Sequence, residues 1–270
     1  MGEKRMSYSI GDVSRVLGMT TSALHYYEKE GIIDTPKEES GRRYYEDADV
    51  MRLISAKKYR SMGVALRDIA VQFASDGMTG EQVIARMHEK RCEAAREAAR
   101  YAALEADIAR LIARGEAGIA AEGVVDVCPA EDMLMLRGTT GAIVPHDHNE
   151  QRLAQVWLDA MPAVSLSIAR RSDAERPGFA LMVPRERGEA LGFAPDGRVV
   201  SLLRGGMAVH AVVACGEEQY DQPEVIFRPI LAFAREHRFR AAGPMWGCML
   251  LVDCSGGRRR HYYDAYMPFL

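Results

Sequence analysis

The sequence predicts a mixed α and α/β fold in three parts: a helical N-terminal region with a short β-wing, one long helix, and a C-terminal α+β region built on an antiparallel sheet. Three observations lead to this class. Short helical patterns alternate with glycine stops over residues 1–78, a proline-free stretch rich in alanine, glutamate and arginine follows over residues 79–115, and strand-like apolar runs alternate with two helical stretches over residues 124–270.

Composition limits the classes of protein to which the chain can belong. It has 270 residues, of which 48% are hydrophobic, so it can bury a sizeable core in roughly two domains. The net charge of -3 means that any surface for nucleic acid must be local. No apolar run approaches the roughly 18 residues of a membrane span, and the first residues lack the apolar core of a signal peptide. We therefore expect a cytoplasmic protein that does not contact a membrane.

The cysteines are odd in number and scattered, at Cys92, Cys128, Cys215, Cys248 and Cys254. Without paired short spacings they indicate reduced thiols rather than a disulfide framework. The expectation is a chain that needs no cofactor and no metal ion.

Two short helices open the chain. Ser9 and Asp12 have the spacing of a capping box, and Gly18 supplies the left-handed residue that ends the first helix. A threonine at position 20 or 21 begins the second helix, and Gly31 ends it. Two helices joined by a tight glycine turn are a candidate helix-turn-helix.

The second helix carries two adjacent tyrosines, and only one of them can face the core, because neighbouring residues diverge by about 100° around the axis. Tyr27 shares a stripe with Leu24, which leaves Tyr26 on the outer stripe. An exposed tyrosine is common, so the outer stripe is either an ordinary surface or a contact for DNA. Its residues are Thr21, Ser22, His25, Tyr26 and Lys29.

Residues 35–47, TPKEESGRRYYED, have the pattern of a short β-hairpin with basic and aromatic residues near its tip. A wing of this kind beside a helix-turn-helix binds the sugar–phosphate backbone, here through Arg42, Arg43 and Tyr44. The alternative is that the two arginines form a solvated turn. A second helical pair follows, with Asp47 predicted as the cap of its first helix. That helix carries the densest basic cluster of the N-terminal region, formed by Lys57, Lys58 and Arg60.

Residues 79–115 predict a long helix with a coiled-coil seam. Met87, Ala94, Tyr101 and Ile108 recur every seven residues, with Leu104 and Leu111 three residues after the last two. Because its own short domain cannot cover this stripe, we expect a second copy of the chain to do so, which makes this a dimerisation helix. Residues 116–123 are predicted to be a small-residue linker.

Seven strand-like runs follow the linker, with helical stretches at 147–161 and 222–237 between them. The order strand–helix–strands occurs twice, which indicates a duplicated unit with both helices on one face of an antiparallel sheet. The runs are Met133–Leu136, Ser165–Ala169, Phe179–Val183, Val199–Leu203, Met207–Ala214, Trp246–Val252 and His261–Pro268.

The N-terminal region resembles the MerR family of bacterial transcription regulators. The motifs that carry the likeness are YSIGDVSRVLGMTTSALHYYEKEGII (8–33), SGRRYY (40–45) and DVMRLISAKKYRSMGVALRDI (49–69). The family usually has arginine where this chain has His25. The resemblance implies a homodimer on double-stranded promoter DNA whose spacer is too long for RNA polymerase. Binding of a small-molecule effector would then distort the DNA and activate transcription.

The C-terminal half resembles the GyrI-like effector-binding domain of multidrug-sensing members of that family, on its strand–helix order and the ending YYDAYMPF (262–269). The family places an acidic residue, usually glutamate, at the position of Asp264, within an aromatic-lined cavity. Independently, a buried carboxylate needs a compensating charge, which a cationic aromatic ligand supplies. The predicted ligand site comprises Trp157, Met245, Trp246, Tyr262, Asp264 and Tyr266, although Trp157 is equally consistent with ordinary core.

Two alternatives stay open at this point. Cys92 and Cys128 suggest a metal-sensing regulator, but neither has a second thiolate close in sequence. A small-molecule hydrolase is the other alternative, with Asp264 as general base, but no nucleophile–base pair with motif spacing is present. No catalytic residue is predicted.

Overall fold

The computed structural model describes residues 7–35, 44–74, 77–137, 147–170, 176–217 and 222–270. The chain forms two compact units, Met1–Arg100 and Tyr101–Leu270, and the boundary between them falls inside one long helix.

The N-terminal unit is helical, with one small two-stranded sheet. The elements in chain order are β1 (Ser7–Ser9), α1 (Ile10–Leu17), α2 (Thr21–Lys29), β2 (Tyr44–Glu46), α3 (Asp47–Ser61), α4 (Leu66–Phe73) and the first part of α5 (Gly80–Ala120). Apolar side chains from the first four helices meet in one core, whose fully buried members include Leu24, Leu53 and Ile69. The predicted order of helices is confirmed.

The ends of the first two helices follow the local sequence signals. The Ser9 hydroxyl accepts from the Asp12 backbone N–H at 3.2 Å, and Gly18 ends α1 with φ 60°. Thr20 caps α2 by accepting from the Ala23 N–H at 3.1 Å. The predicted cap of α3 was wrong by one position: Asp47 is the first helical residue.

The cap of α3 is Glu46, whose backbone N–H donates to the Asp49 carboxylate at 3.0 Å. Asp47 instead accepts from the Tyr8 hydroxyl at 2.9 Å. The cap lies at Glu46 because β2 pairs with β1 up to this residue, and α3 begins at the next one.

The predicted hairpin of the wing falls mostly on residues 36–43, outside the described part of the chain. Tyr44–Glu46, predicted to lie near the end of this hairpin, form β2, and β2 pairs antiparallel with β1, with Ser9 opposite Tyr44 and Tyr8 opposite Tyr45. The Tyr45 side chain is fully buried in the core of this unit, while Tyr44 on the opposite face is half-buried.

Helix α5 is longer than predicted. It continues to Ala120, so the predicted linker at 116–123 is helical over most of its length. The small residues there allow close approach rather than flexibility. A Cβ on Gly118 would lie 3.2 Å from Val212 Cγ1, and a Cβ on Gly115 would lie 3.2 Å from Leu251 Cδ2. The glycines therefore let the end of α5 pack tightly on the C-terminal sheet.

The C-terminal unit is built on an eight-stranded antiparallel sheet, in the order β3-β8-β10-β9-β5-β6-β4-β7. The strands are β3 (Val125–Ala130), β4 (Met133–Arg137), β5 (Ser165–Arg170), β6 (Gly178–Pro184), β7 (Val200–Leu203), β8 (Gly206–Gly216), β9 (Met245–Asp253) and β10 (Arg260–Pro268). The helices that follow α5 are α6 (His148–Leu158), α7 (Arg185–Ala190) and α8 (Arg228–His237). All seven predicted strands are confirmed, whereas β3 and α7 were missed.

The predicted duplication is visible in the connections. A unit of strand, helix and two strands occurs as β4–α6–β5–β6 and again as β8–α8–β9–β10. In each copy the last strand in sequence, β6 or β10, lies between the other two strands of that copy. The two copies meet where β5 pairs with β9.

The two faces of the sheet are covered by different helices. Trp157 of α6 packs with Leu134 and Leu136 of β4, and Ile230 of α8 packs with Tyr263 of β10, so both helices cover one face, as predicted. The end of α5 lies on the other face, where Asp264 and Tyr266 of β10 point. Among the described residues, no helix is long and apolar enough to cross a membrane.

Candidate functional site

Helix α2 presents a continuous polar face to solvent. Its inner face is anchored by Leu24, which is fully buried, and by the half-buried Tyr27, which packs on the same core. Tyr26 is 51% exposed, so the two neighbouring tyrosines divide between core and surface as the periodicity predicts. The exposed face contains all five predicted residues, Thr21, Ser22, His25, Tyr26 and Lys29.

His25 has an acidic neighbour on this face. Its Nδ1 lies 3.6 Å from a carboxylate oxygen of Glu28, whose other oxygen accepts from the Thr35 hydroxyl at 3.0 Å. The segment after α2 is thus tied back to the helix through Glu28. The polar face therefore lies between the Thr20 cap at one end of the helix and this contact at the other.

Two members of the predicted basic cluster hold the protein's own backbone. The Lys57 ammonium donates to the carbonyl of Leu17 at the end of α1, and Arg60 donates to the carbonyl of Val64 at 3.0 Å. Lys58 is exposed on the same helix. Sequence reasoning assigned Lys57 and Arg60 to phosphate binding alone, and it missed these structural contacts. Arg42 and Arg43 lie outside the described residues.

A second cluster of polar groups is buried under α5 in the C-terminal unit. Asp264 is 3% exposed on β10, between Val212 of β8 and Cys248 of β9. Arg114 of α5 donates to its Oδ2 through Nε at 2.8 Å and also through Nη2. The Tyr266 hydroxyl donates to the same oxygen at 3.1 Å. The other oxygen, Oδ1, lies 2.6 Å from Nε2 of His210.

These contacts correct one argument made from the sequence. Asp264 is buried as predicted, but the chain itself supplies the compensating charge through Arg114. Burial alone would raise the pKa of Asp264, yet the hydrogen bond from His210 and the Arg114 guanidinium lower it below its ordinary value. Asp264 is therefore a carboxylate in the folded protein.

The charge of Asp264 raises the pKa values of two neighbouring side chains, Tyr266 and His210. Burial and the adjacent carboxylate raise the pKa of the Tyr266 hydroxyl, which stays protonated and donates. Burial favours neutral His210, but its contacts with Asp264 and Asp126 outweigh that effect and raise its pKa. The cluster is a charge-balanced network rather than an isolated acid.

The structure brings only part of the predicted ligand set together. Trp246 and Tyr266 lie side by side with ring centroids 6.1 Å apart, on the face that carries Asp264. Tyr262 shares that face, although its hydroxyl donates to Glu122 at 3.2 Å and Arg260 lies 5.2 Å above its ring.

Trp157 and Met245 lie on the opposite face of the sheet, which corrects their grouping with Asp264. Trp157 stacks on Phe193 with centroids 4.5 Å apart, and Met245 packs in the core under α8. Met245 immediately precedes Trp246 on β9, and adjacent residues of a strand point to opposite faces.

Sequence reasoning missed Arg114, His210 and Asp126 of the cluster. His210 is the one charged or polar side chain in the apolar strand MAVHAVVA, which was a usable signal. Arg114 gave no comparable signal, because α5 contains many arginines. A second ion pair, between Arg187 of α7 and Asp107 of α5 at 2.8 Å, was also missed, because its two residues lie 80 positions apart.

Residues 8–75 match the family model described as MerR HTH family regulatory protein. This part of the chain is therefore similar to the MerR HTH family. This match covers about a quarter of the chain, and it includes α1 to α4 but none of the C-terminal sheet.

Curated relatives match about a third of the chain or less. The transcriptional activator TipA of Streptomyces coelicolor is 36% identical over 86 residues, which are 31% of this chain and 34% of TipA. The transcriptional regulator YyaN of Bacillus subtilis is 34% identical over 77 residues, 28% of this chain and 55% of YyaN. The chain thus spans about a third to a half of the length of these relatives.

Two solved structures match the chain with low overall similarity. A MerR-family regulator from Bacillus cereus has a TM-score of 0.37 at 21% identity, covering 41% of this chain and 84% of its own. The EcmrR–DNA complex in EcmrR-RPo, solved by cryo-electron microscopy, has a TM-score of 0.37 at 14% identity, covering 97% of this chain and 99% of its own.

Proposed function

We propose that the protein is a homodimeric, cytoplasmic transcription regulator that binds double-stranded promoter DNA and responds to a small molecule. The observation that carries the proposal is the exposed polar face of α2, within the part of the chain that matches the MerR HTH family. The second helix of a helix-turn-helix enters the major groove of DNA, so this face would contact bases and phosphates.

Each residue of the α2 face has a role that suits its chemistry. The Tyr26 hydroxyl and the Ser22 and Thr21 hydroxyls donate to phosphate or base acceptors, and the Lys29 ammonium neutralises a phosphate. His25 donates as well, from the position that carries arginine in the family. Arg42, Arg43 and Tyr44 of the wing, with Lys58 behind it, extend the phosphate contacts, and Lys57 and Arg60 position the helices.

Activation is supported by the names of relatives such as TipA, a transcriptional activator. The dimer would occupy a promoter with a long spacer and, when the effector binds, distort the DNA so that RNA polymerase can engage both promoter elements. This step requires the effector to bind the distorting conformation more tightly than the other, since a ligand shifts an equilibrium only by its difference in affinity.

The effector site that the geometry supports best lies at Asp264, beside Trp246 and Tyr266. A lipophilic aromatic cation would replace the Arg114 guanidinium as the partner of the carboxylate. The aromatic rings would add cation–π contacts of about 0.5–2 kcal/mol each. Because Arg114 belongs to α5, exchange of this partner would change how α5 is held on the sheet.

The DNA interface is tested with a duplex that the wild-type protein enriches from a randomised pool. We expect Tyr26→Ala and Lys29→Ala each to weaken binding by about tenfold, the loss of one hydrogen bond to a charged group. Lys29→Ala should also reduce the slope of log K against log salt by about 0.9, for one phosphate released.

Arg96→Ala is the matched control, because it removes an exposed cation from α5 rather than from α2. Its affinity and salt slope should equal those of the wild type. If no duplex is enriched, or if all three variants bind alike, the α2 face is not the DNA interface.

The effector site is tested by thermal shift in the presence of a chelator, with aromatic cations and neutral compounds of the same shape. Cations should stabilise the wild type, and Asp264→Asn should weaken their binding by about tenfold, since one charged contact is lost. Asp159→Asn removes an exposed carboxylate at the end of α6 and should behave as wild type. Equal stabilisation of the Asp264 and Asp159 variants would exclude the carboxylate as the recognition group.

A further inference from the structure

We propose that Asp126, Cys128 and His210 form a binding site for a divalent transition metal ion of the zinc class, with Asp264 orienting the histidine. One ligand atom from each of the three residues lies within 4.8 Å of the other two. This inference is independent of the DNA-binding function proposed above. It concerns the outer edge of the cluster that sequence reasoning missed.

Strand register brings the three residues together. Asp126 of β3 lies directly opposite His210 of β8, and Cys128 lies opposite Ala208, two pairs further along. Because alternate residues of a strand share a face, both β3 side chains flank His210 on the face that carries Asp264. The strand β3 forms an edge of the sheet. Pro129 is tolerated there because the N–H that proline lacks would not be needed to pair with another strand. An ion can therefore reach the site from solvent.

The types of donor atom indicate which metal ions the site would bind. A thiolate, an imidazole and a carboxylate are the ligands that zinc combines in proteins, whereas calcium and magnesium prefer oxygen alone. Bonds of about 2.0–2.3 Å require the donor atoms to approach to about 3.5 Å from one another. Asp126 is exposed and Cys128 is half-buried, so rotation of these two side chains can close the site around His210. Three protein ligands leave one position open for water or another ligand.

His210 is held in the orientation that metal binding requires. Its Nε2 lies 2.6 Å from Asp264 Oδ1, and its Nδ1 lies 2.8 Å from Asp126 Oδ1. With Nε2–H donating to Asp264, loss of the Nδ1 proton, which otherwise joins the ring to Asp126, leaves the Nδ1 lone pair facing Asp126 and Cys128. A carboxylate that orients a metal-binding histidine in this way also raises the basicity of the ring. Arg114 keeps Asp264 in its charged form and so maintains the arrangement.

A proton can occupy the same position as the metal. Imidazolium at His210 would bridge the carboxylates of Asp126 and Asp264 with no role for a thiol. The metal takes the place of the Nδ1 proton and also requires the thiolate of Cys128. The two arrangements are therefore distinguished by their dependence on Cys128.

The test is a titration of the full chain, stripped with a chelator and kept reduced, with Co²⁺ alone and then with Zn²⁺ as competitor. We expect one cobalt ion per chain, with the near-ultraviolet absorption of a cobalt–thiolate bond, displaced by Zn²⁺. Cys128→Ser should lose this absorption and bind Zn²⁺ at least about tenfold more weakly. Asp264→Asn should keep the absorption but weaken Zn²⁺ binding by about 10–100-fold, as expected when a partner that orients a ligand is lost.

Cys92→Ser and Cys254→Ser are the matched controls, because both remove exposed thiols elsewhere in the chain. They should retain the absorption and the affinity. Cys128 is half-exposed at a sheet edge, so its serine variant should fold, which a thermal melt verifies independently. Absence of the absorption from the wild type, its persistence in Cys128→Ser, or its loss from either control would overturn the assignment. None of these outcomes bears on DNA binding.

Discussion

Replacement of Arg114 with methionine is expected to destabilise the C-terminal unit by about 3–5 kcal/mol, because it leaves a buried carboxylate without its cation. Asp264 is 3% exposed and receives two N–H groups from Arg114. His210 remains as a partner, which places the expected loss near the lower end of this range. Methionine keeps most of the aliphatic length of arginine, so the packing against the sheet changes little.

Urea unfolding followed by circular dichroism measures this loss, and thermal unfolding should show a midpoint lower by about 6–12 °C for a unit of this size. Arg110→Met is the matched control, because Arg110 is exposed on the same helix. The double variant Arg114→Met with Asp264→Asn should recover part of the loss, since it removes the uncompensated charge. Equal stability of the Arg114 and Arg110 variants would contradict the structural role of the pair.

The same ion pair gives α5 a defined attachment to the sheet. Within the C-terminal unit, α5 is held by Arg114 on Asp264 and by Asp107 on Arg187, with Gly115 and Gly118 in close contact between or beside them. A ligand that competes for Asp264 removes one of the two charged attachments and leaves the other. The proposed response to an effector is thus the loss of the Arg114–Asp264 ion pair while the Asp107–Arg187 ion pair remains.

Local signals in the sequence predicted most of the fold. Helix ends at Ser9, Gly18 and Thr20 depend on residues three or four positions apart, and these were confirmed. Strands were found by alternation and length, and the repeated strand–helix–strand–strand order revealed the duplication. The strand β3 was missed because Pro129 interrupts its pattern and because an edge strand has weak apolar alternation.

Long-range pairing explains what the sequence did not reveal about the cluster. Arg114 and Asp264 are 150 residues apart, and His210 and Asp126 are 84 apart. Their meeting depends on strand order and register, which no local pattern encodes. Met245 was misplaced for a different, local reason: it is adjacent to Trp246 on β9, and adjacent strand residues point to opposite faces of the sheet.

Two glutamate substitutions on the exposed apolar stripe of α5 are expected to separate the proposed dimer. Helical periodicity places Tyr101, Ile108, Ile112 and Ile119 on this stripe, and each is 45–59% exposed in the single chain. Leu104 and Leu111, which the sequence assigned to the seam, are half-buried and lean toward the sheet-facing side that includes Asp107 and Gly118. The stripe available to a second copy therefore continues through Ile112 and Ile119.

Ile108→Glu with Ile112→Glu removes about 1.5–3 kcal/mol of apolar burial at each site and opposes like charges across the interface. The dimer Kd should rise by at least about 100-fold, measured by sedimentation equilibrium. Ala106→Glu with Ala113→Glu adds the same charge to another exposed face of the helix and should leave the dimer intact. A dimer that survives both pairs of substitutions, with Kd unchanged, would mean that another surface joins the two chains, because four carboxylates cannot be buried against one another in a stable apolar seam.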